Sequence, residues 1–285
     1  MTVTKTAAVP AARRRRIDIL SLRSDPQTQK EIASPRSQCH LIAMTLQPEN
    51  WETPKHILVI LAHPDDPEFF CGATLARWTR AGHKATCLLL TCGDKGFNPS
   101  THPDMTPEAL CGIRHREQAE AARIIGAEPP LFLDLPDGYL IPDLNLRREV
   151  VREIRRHKPD ILVTCDPQNL FAAYGINHPD HRACGQVVLD AVFPAAGNPA
   201  YFPDLIAQGF EPHMPGEVWC ALTSQPNTAI DVTEYWDIKL QAILQHKSQV
   251  QDVNKLIERM KSRRTEDSTD ENPRYEEKFR VVKYS

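Results

Sequence analysis

The sequence has no long apolar run, no CxxC pair and no glycine-rich phosphate loop, and each omission closes a class of function. None of its hydrophobic stretches approaches the ~20 residues needed to cross a bilayer, and the first residues lack the apolar core of a secretory signal. No GxSxG elbow is present, which argues against a serine hydrolase of that type. A net charge of -3 leaves no basic surplus, so nucleic acid is not expected as a partner. The eight cysteines, Cys39, Cys71, Cys87, Cys92, Cys111, Cys165, Cys184 and Cys220, form no metal or redox doublet. Several lie in apolar runs, as Cys87 does in ATCLLLTC, where a free thiol acts as a small hydrophobe. All eight are expected to be reduced and structural, which suits a cytoplasmic protein.

What is present begins after a basic segment. Residues 1–43 hold eight Lys/Arg against three Asp/Glu, so the remainder carries a charge near -8. Arg13, Arg14, Arg15 and Arg16 are consecutive, and no hydrophobic period is sustained through residues 1–50. That stretch is expected to be a disordered extension, with Met44 a sensible alternative beginning. A transit peptide fits the Arg and Ser content but not Asp18, Asp25 and Glu31. Residues 51–285 are expected to form the functional domain.

From Lys55 the pattern alternates. HILVILA (56–62) is a short, continuously apolar run of the kind a buried parallel strand requires. A helical spacing at Leu75, Trp78 and Thr79 follows, stopped by Gly82. KATCLLLTC (84–92) is a second strand, and Thr106-Pro107 opens a helix that runs to Gly126. Strands at 131–135, 160–165 and 217–223 alternate with helices at 143–157, 181–193 and 234–260. This predicts an α/β fold, a Rossmann-like, mostly parallel sheet with helices on both faces, in a single domain. The aromatic and proline-rich stretch 194–216 is a candidate lid or subunit contact.

In such sheets, ligands bind at the carboxyl ends of strands. Two polar clusters fall there. AHPDDPEF (62–69) packs His63, Asp65, Asp66 and Glu68 into six positions, and it stands where a dinucleotide-binding strand would carry its glycines. NHPDHR (177–182) brings His178, Asp180 and His181 together before a helix. Two imidazoles and a carboxylate are a common zinc set that leaves one position for water, and the remaining carboxylates suit acid–base work. A phosphatase would prefer two metals and more carboxylates. His102-Pro103-Asp104 has no second acid beside it and reads as a turn.

These motifs, with LTCGDKG (90–96), IRHREQAEAARIIGA (113–127), LDLPDG (133–138) and KLQAILQHKSQ (239–249), resemble the LmbE-like/PIG-L family of zinc-dependent N-acetylglucosamine deacetylases. The resemblance covers roughly residues 55–285. It implies Zn2+, or another divalent ion, held by His63, Asp66 and His181, with Asp65 as general base. It implies that His178 stabilises an oxyanion, with Asp180 holding its ring and favouring its charged form. Arg114 and Asp137 match positions that contact sugar hydroxyls, and His246 matches a histidine at the site's rim. Many members carry the acid directly after the two aspartates. Here Pro67 intervenes before Glu68, to which no role is assigned. The resemblance also implies a small-molecule sugar substrate and a homo-oligomer, trimer or hexamer. The competing readings are a metal-dependent amidase or esterase acting on another small substrate, and a non-catalytic binding member of the fold.

Overall fold

The computed structural model describes residues 45–46, 49, 51–97, 100, 102–172 and 174–284. The chain runs β1 (Thr45–Leu46), β2 (His56–Leu61), α1 (Asp66–Arg80), β3 (Lys84–Thr91), α2 (Pro107–Ile125), β4 (Leu131–Leu135), α3 (Leu144–His157) and β5 (Ile161–Cys165). A small ribbon, β6 (Phe171–Ala172) and β7 (Gly175–Ile176), precedes α4 (Pro179–Asp190), a π-helical turn at Ala191–Ala196 and α5 (Pro203–Ala207). Then come β8 (Glu217–Ala221), β9 (Thr228–Asp231), α6 (Trp236–Ile243), α7 (Val253–Lys261) and β10 (Glu276–Lys283).

The central sheet has the order β1-β9-β10-β8-β5-β2-β3-β4. From β4 to β8 all pairings are parallel, while β10 lies antiparallel to both β8 and β9. The predicted mostly parallel α/β sheet is the fold. The pairing of Thr45 with Thr228 and Leu46 with Ala229 brings β1 into the sheet from within the expected extension. Residues 1–44, with Cys39 and the arginine run, lie outside the described residues.

Why the middle strands sit where they do is visible in β2. Ile57, Val59 and Leu61 face one apolar cluster, and Leu58 and Ile60 face the other. A strand buried on both faces needs the unbroken apolar run that the sequence shows. Helices α1, α2 and α6 cover one face, and α3 and α4 the other. Gly185 of α4 lets that helix lie against β5: a Cβ there would fall 2.3 Å from the Cys165 carbonyl oxygen.

Three expectations change. The helix expected over 234–260 is two helices, α6 and α7, separated by a stretch in which His246, Gln249 and Val250 make turn hydrogen bonds. The first part of the stretch 194–216, expected as a lid or subunit contact, is fastened down. Buried Arg155 donates to the carbonyls of Ala195, Ala196, Asn198, Tyr201 and Phe202. Finally, the cysteines are not all reduced. Cys92, just past β3, is bonded to Cys111 of α2, with a Cα–Cα separation of 5.1 Å. The two meet because α2 packs back across the end of β3, a proximity that 19 residues of separation conceal. Cys71, Cys87, Cys165, Cys184 and Cys220 are buried free thiols.

Candidate active site

The sheet changes direction between β2 and β5: the chain adds β3 and β4 on one side of β2 and places β5 and β8 on the other. Loops leaving the carboxyl ends of β2 and β5 therefore diverge and open a crevice. HPDD leaves β2 and NHPDH follows β5 and its ribbon, so the topology brings together the two motifs that the sequence singled out.

In the first motif, the Asp66 carboxylate accepts the His63 backbone N–H at 2.9 Å, and the Asp66 N–H donates to the His63 carbonyl at 3.2 Å. Pro67 stands in the first turn of α1, where its missing N–H costs nothing. Between them Asp65 is the helix N-cap with φ 99° and ψ -27°. A non-glycine residue held there is strained, and such strain concentrates at working sites.

The three expected metal ligands converge. His181 Nε2 lies 3.0 Å from Asp66 Oδ1 and 3.2 Å from His63 Nδ1, and His63 Nδ1 lies 3.4 Å from Asp66 Oδ2. Nitrogen and oxygen ligands arranged tetrahedrally about a zinc ion are separated by roughly 3.3 Å, given bond lengths near 2.0–2.1 Å. All three residues are buried. The remaining ring nitrogens are occupied in the way metal ligands require. His63 Nε2 faces Asp137 Oδ1 at 3.1 Å and Asp180 Oδ2 at 3.4 Å, and His181 Nδ1 faces Asn177 Oδ1 at 2.9 Å. With protons on those outer nitrogens, the two inner ones carry lone pairs toward Asp66. The donor set fits a divalent metal.

The electrostatics agree. Burial opposes charge on His63, yet hydrogen bonds to Asp137, Asp180 and Asp66 raise its pKa well above the ordinary imidazole range. Burial works against Asp66 too, and the charges and hydrogen bonds of His181 and His63 hold it below the usual carboxylate range. Asp137 behaves similarly: burial pushes it up, and His63 draws it below the ordinary value. The pocket is built to stabilise positive charge. Asp65 differs. Burial raises its pKa, and Arg114 pulls back only partly.

Several residues sit differently from expectation. The Asp180 carboxylate does not hold the His178 ring; it turns to His63 and accepts the N–H groups of Gly138 at 2.7 Å and Leu140 at 3.1 Å. His178 instead accepts the Asp180 backbone N–H at Nδ1, 3.2 Å away, so its neutral form carries the proton on Nε2. Burial, with His63 nearby, lowers the His178 pKa, so its charged form is not favoured. Asp137 lines the cleft but spends an oxygen on His63. Arg114 is buried, donates to the Gly93 and Pro64 carbonyls and faces Asp65 Oδ2 at 3.3 Å. Gly93, at φ 66°, makes room for it: a Cβ would fall 2.1 Å from Arg114 Nη1.

His246 does not reach the rim. It is fully buried, and its Nε2 meets Glu68 Oε2 at 3.1 Å. Glu68 accepts from Gln118 Nε2 at 2.9 Å, and Gln118 Oε1 accepts the Asp65 N–H at 2.9 Å. This chain supports the strained Asp65 from behind. Gln118 and Asn177 were not singled out in the sequence. Asn177 opens the NHPDH motif, and that adjacency is its one sequence signal; Gln118 leaves none beyond its place on α2.

The cleft encloses about 1050 Å³ and is lined by His63, Asp65, Arg114, His178 and His181, with Phe70 and Tyr174 among its apolar walls. That is just above the roughly 300–1,000 Å³ of small-molecule pockets.

Comparison with known proteins is consistent with this site. The PIG-L family, described as GlcNAc-PI de-N-acetylase, matches residues 58–192, a span that includes both motifs. A diacetylchitobiose deacetylase of Thermococcus kodakarensis is 32% identical over 195 residues, covering 68% of this chain and 70% of the relative. A probable N-acetyl-alpha-D-glucosaminyl L-malate deacetylase 2 of Bacillus anthracis is 27% identical over 199 residues, covering 68% and 81%. The solved N,N'-diacetylchitobiose deacetylase of Pyrococcus horikoshii, in complex with its inhibitor MPG, superposes with a TM-score of 0.74 at 26% identity, covering 86% of this chain and 89% of that one. Similarity that runs through both halves of the crevice, at this identity and coverage, makes the chain a member of the PIG-L family.

Proposed function

We propose that the protein hydrolyses the acetamide of an N-acetylglucosamine-type sugar conjugate in a zinc-dependent reaction, releasing acetate and the free amino sugar. The observation that carries this reading is the His63, Asp66 and His181 triad, 3.0–3.4 Å apart, with an acid of raised pKa beside it. The relatives named for deacetylation of diacetylchitobiose and of a glucosaminyl malate support the substrate class.

Bound by these three residues, a divalent metal supplies Lewis acidity to the amide carbonyl and makes a water molecule more acidic. The chain's own residues do the rest. Asp65 takes the proton of the attacking water at its carboxylate and returns it to the departing amine nitrogen. Its raised pKa suits that double duty, since too low a pKa makes a poor base and too high a pKa a poor acid. The neutral Nε2–H of His178 donates to the oxygen that gains negative charge. Asp180 and Asp137 fix the ring of His63, and Asn177 that of His181. The Arg114 guanidinium restrains Asp65 and lines the cleft. The volume of the cleft supports a substrate larger than one sugar ring.

Among the described residues, no helix is long and apolar enough to cross a membrane. The five buried free thiols are compatible with a cytoplasmic setting, and the Cys92–Cys111 disulfide counts against a constantly reducing one. Self-association as a trimer or hexamer belongs to the proposal through the exposed Tyr139, Ile141 and Phe193. Residues 51–285 are proposed as the catalytic unit.

The test is acetate release from N-acetylglucosamine and a panel of its conjugates by protein of known metal content. Release that a chelator abolishes and zinc restores supports the reading. A metal-loaded protein that releases no acetate while cleaving other amides or esters would move it to a different substrate. His181→Ala should lose the metal, and stoichiometric zinc in that variant would remove His181 from the ligand set.

A further inference from the structure

Four potential ligands meet a second time, outside the crevice. Cys92 at the end of β3, Cys111 and His115 of α2, and Asp134 of β4 bring their sulfur, nitrogen and oxygen atoms within 4.8 Å of one another. Cys111 and His115 are one helical turn apart, so they share a face. His115 stacks on Phe132 with ring centroids 3.8 Å apart, which fixes the ring plane. Its Nε2 lies 2.8 Å from Asp134 Oδ1 and 3.7 Å from Cys111 Sγ, and Asp134 Oδ1 lies 4.0 Å from that sulfur. Around a tetrahedral zinc ion, nitrogen–oxygen spacings are roughly 3.3 Å and sulfur–nitrogen or sulfur–oxygen spacings roughly 3.6 Å.

The backbone is bent to achieve this. Asp134 has φ 51° in the middle of a strand, and the β3–β4 register shifts there between Leu89/Phe132 and Thr91/Leu135. A bulge re-aims a side chain, and here it turns the carboxylate to His115. Asp134 is exposed and His115 partly so, which leaves a path for an ion from solvent. The proposed deacetylation uses none of these four residues.

We propose that Cys92, Cys111, His115 and Asp134 form a second, redox-gated site for a thiophilic divalent cation such as zinc, open when the Cys92–Cys111 disulfide is reduced. A small dithiol supplies two electrons and two protons. The S–S bond breaks, two thiols form, and the reductant closes into its own disulfide. Cation binding then displaces both thiol protons to solvent, and the two thiolates, the imidazole and the carboxylate complete four ligands. In the reverse direction a peroxide takes the electron pair from the thiolates and, with two protons, leaves as two water molecules. The disulfide re-forms and the cation is freed.

The experiment uses the full chain, reduced with a dithiol, loaded with cobalt(II) and freed of unbound metal by gel filtration. Two equivalents of cobalt per chain are expected, with a near-ultraviolet thiolate-to-cobalt charge-transfer band. That band reports this site alone, since the His63, Asp66 and His181 set contains no sulfur. Cys111→Ser and, as the variant least able to disturb folding, His115→Ala should each lose the band and one equivalent. His181→Ala should keep the band and lose the other equivalent. Hydrogen peroxide should release one equivalent and erase the band. One equivalent or fewer without a charge-transfer band in the reduced wild type overturns the proposal. A band in a protein that lacks deacetylase activity supports it independently of the catalytic reading.

Discussion

The back of the crevice and the ribbon beyond it are built on opposite principles. At the back, Asp65, Gln118, Glu68 and His246 form a continuous hydrogen-bonded chain, and Glu68, Gln118 and His246 are wholly buried. Beyond it, Phe171, Tyr174 and Ile176 belong to the exposed ribbon segment after β5, each with more than half of its surface exposed, and Tyr174 of the three lines the cleft. Buried polar networks are costly where a partner is missing, as at His246 Nδ1, and where bonded they restrict the geometry. An exposed ribbon exacts no such cost and tolerates change. In the proposed reaction the buried part would carry the chemistry and the exposed one, through Tyr174, would meet the acceptor.

The sharpest way to break this contrast is at Asp65. Asp65→Asn should lower kcat about 10³-fold while leaving the metal content unchanged, because it removes a base and no ligand. Turnover within tenfold of wild type would take the base away from Asp65.

His246→Gln strikes the support and not the chemistry. Removing one partner of a buried pair costs about 3 kcal/mol, read as a lowered thermal midpoint. Burial opposes charge on His246, but Glu68 holds its pKa above the ordinary value. Its contribution is therefore full below the unfolded histidine pKa and is lost as pH rises through the folded one. The gap between wild type and variant should narrow toward alkaline pH, and a gap independent of pH would show that the pair acts through packing alone.

His178→Ala, at the border of the two regions, should cost about 10²-fold in kcat with little change in KM. An effect on KM alone would make His178 a binding residue. Arg114→Gln should shift the pH profile. A base of raised pKa works only above that pKa, and Arg114 pulls the Asp65 value down. The acid limb of kcat/KM should accordingly move to higher pH in the variant, and an unmoved limb would separate Arg114 from the base. The smallest effect is expected at the ribbon. Phe171→Ala should change KM by a few fold, differently for different acceptors, and leave kcat intact.

Much of this was legible in local pattern. The apolar runs gave the parallel strands, Thr106 caps α2 through the Ala109 N–H as its place before Pro107 predicts, and the paired motifs converge at the switch point. What stayed hidden depends on contacts between distant segments. Strand β10 enters between β8 and β9 without an apolar run to mark it, since its exposed side carries Lys278 and Arg280. The Asp180 carboxylate is drawn from its neighbour His178 to His63, 117 residues away, by the N–H groups of Gly138 and Leu140. His246 matches a rim histidine by family resemblance, but the split between α6 and α7 turns it inward to Glu68.

One join in the structure has a consequence in time. Helix α1, which begins at Asp66, is broken at Cys71, and the freed N–H groups of buried Ala73 and Thr74 donate to the Glu277 carboxylate at 3.2 and 2.7 Å. Lys239 clasps the same carboxylate at 2.6 Å. Thr74 and Glu277 are 203 residues apart. During synthesis from the N-terminus, the helix that bears the first catalytic motif leaves the ribosome long before the acid that seals it. The nascent chain thus carries an unsealed break in α1 until β10 is made.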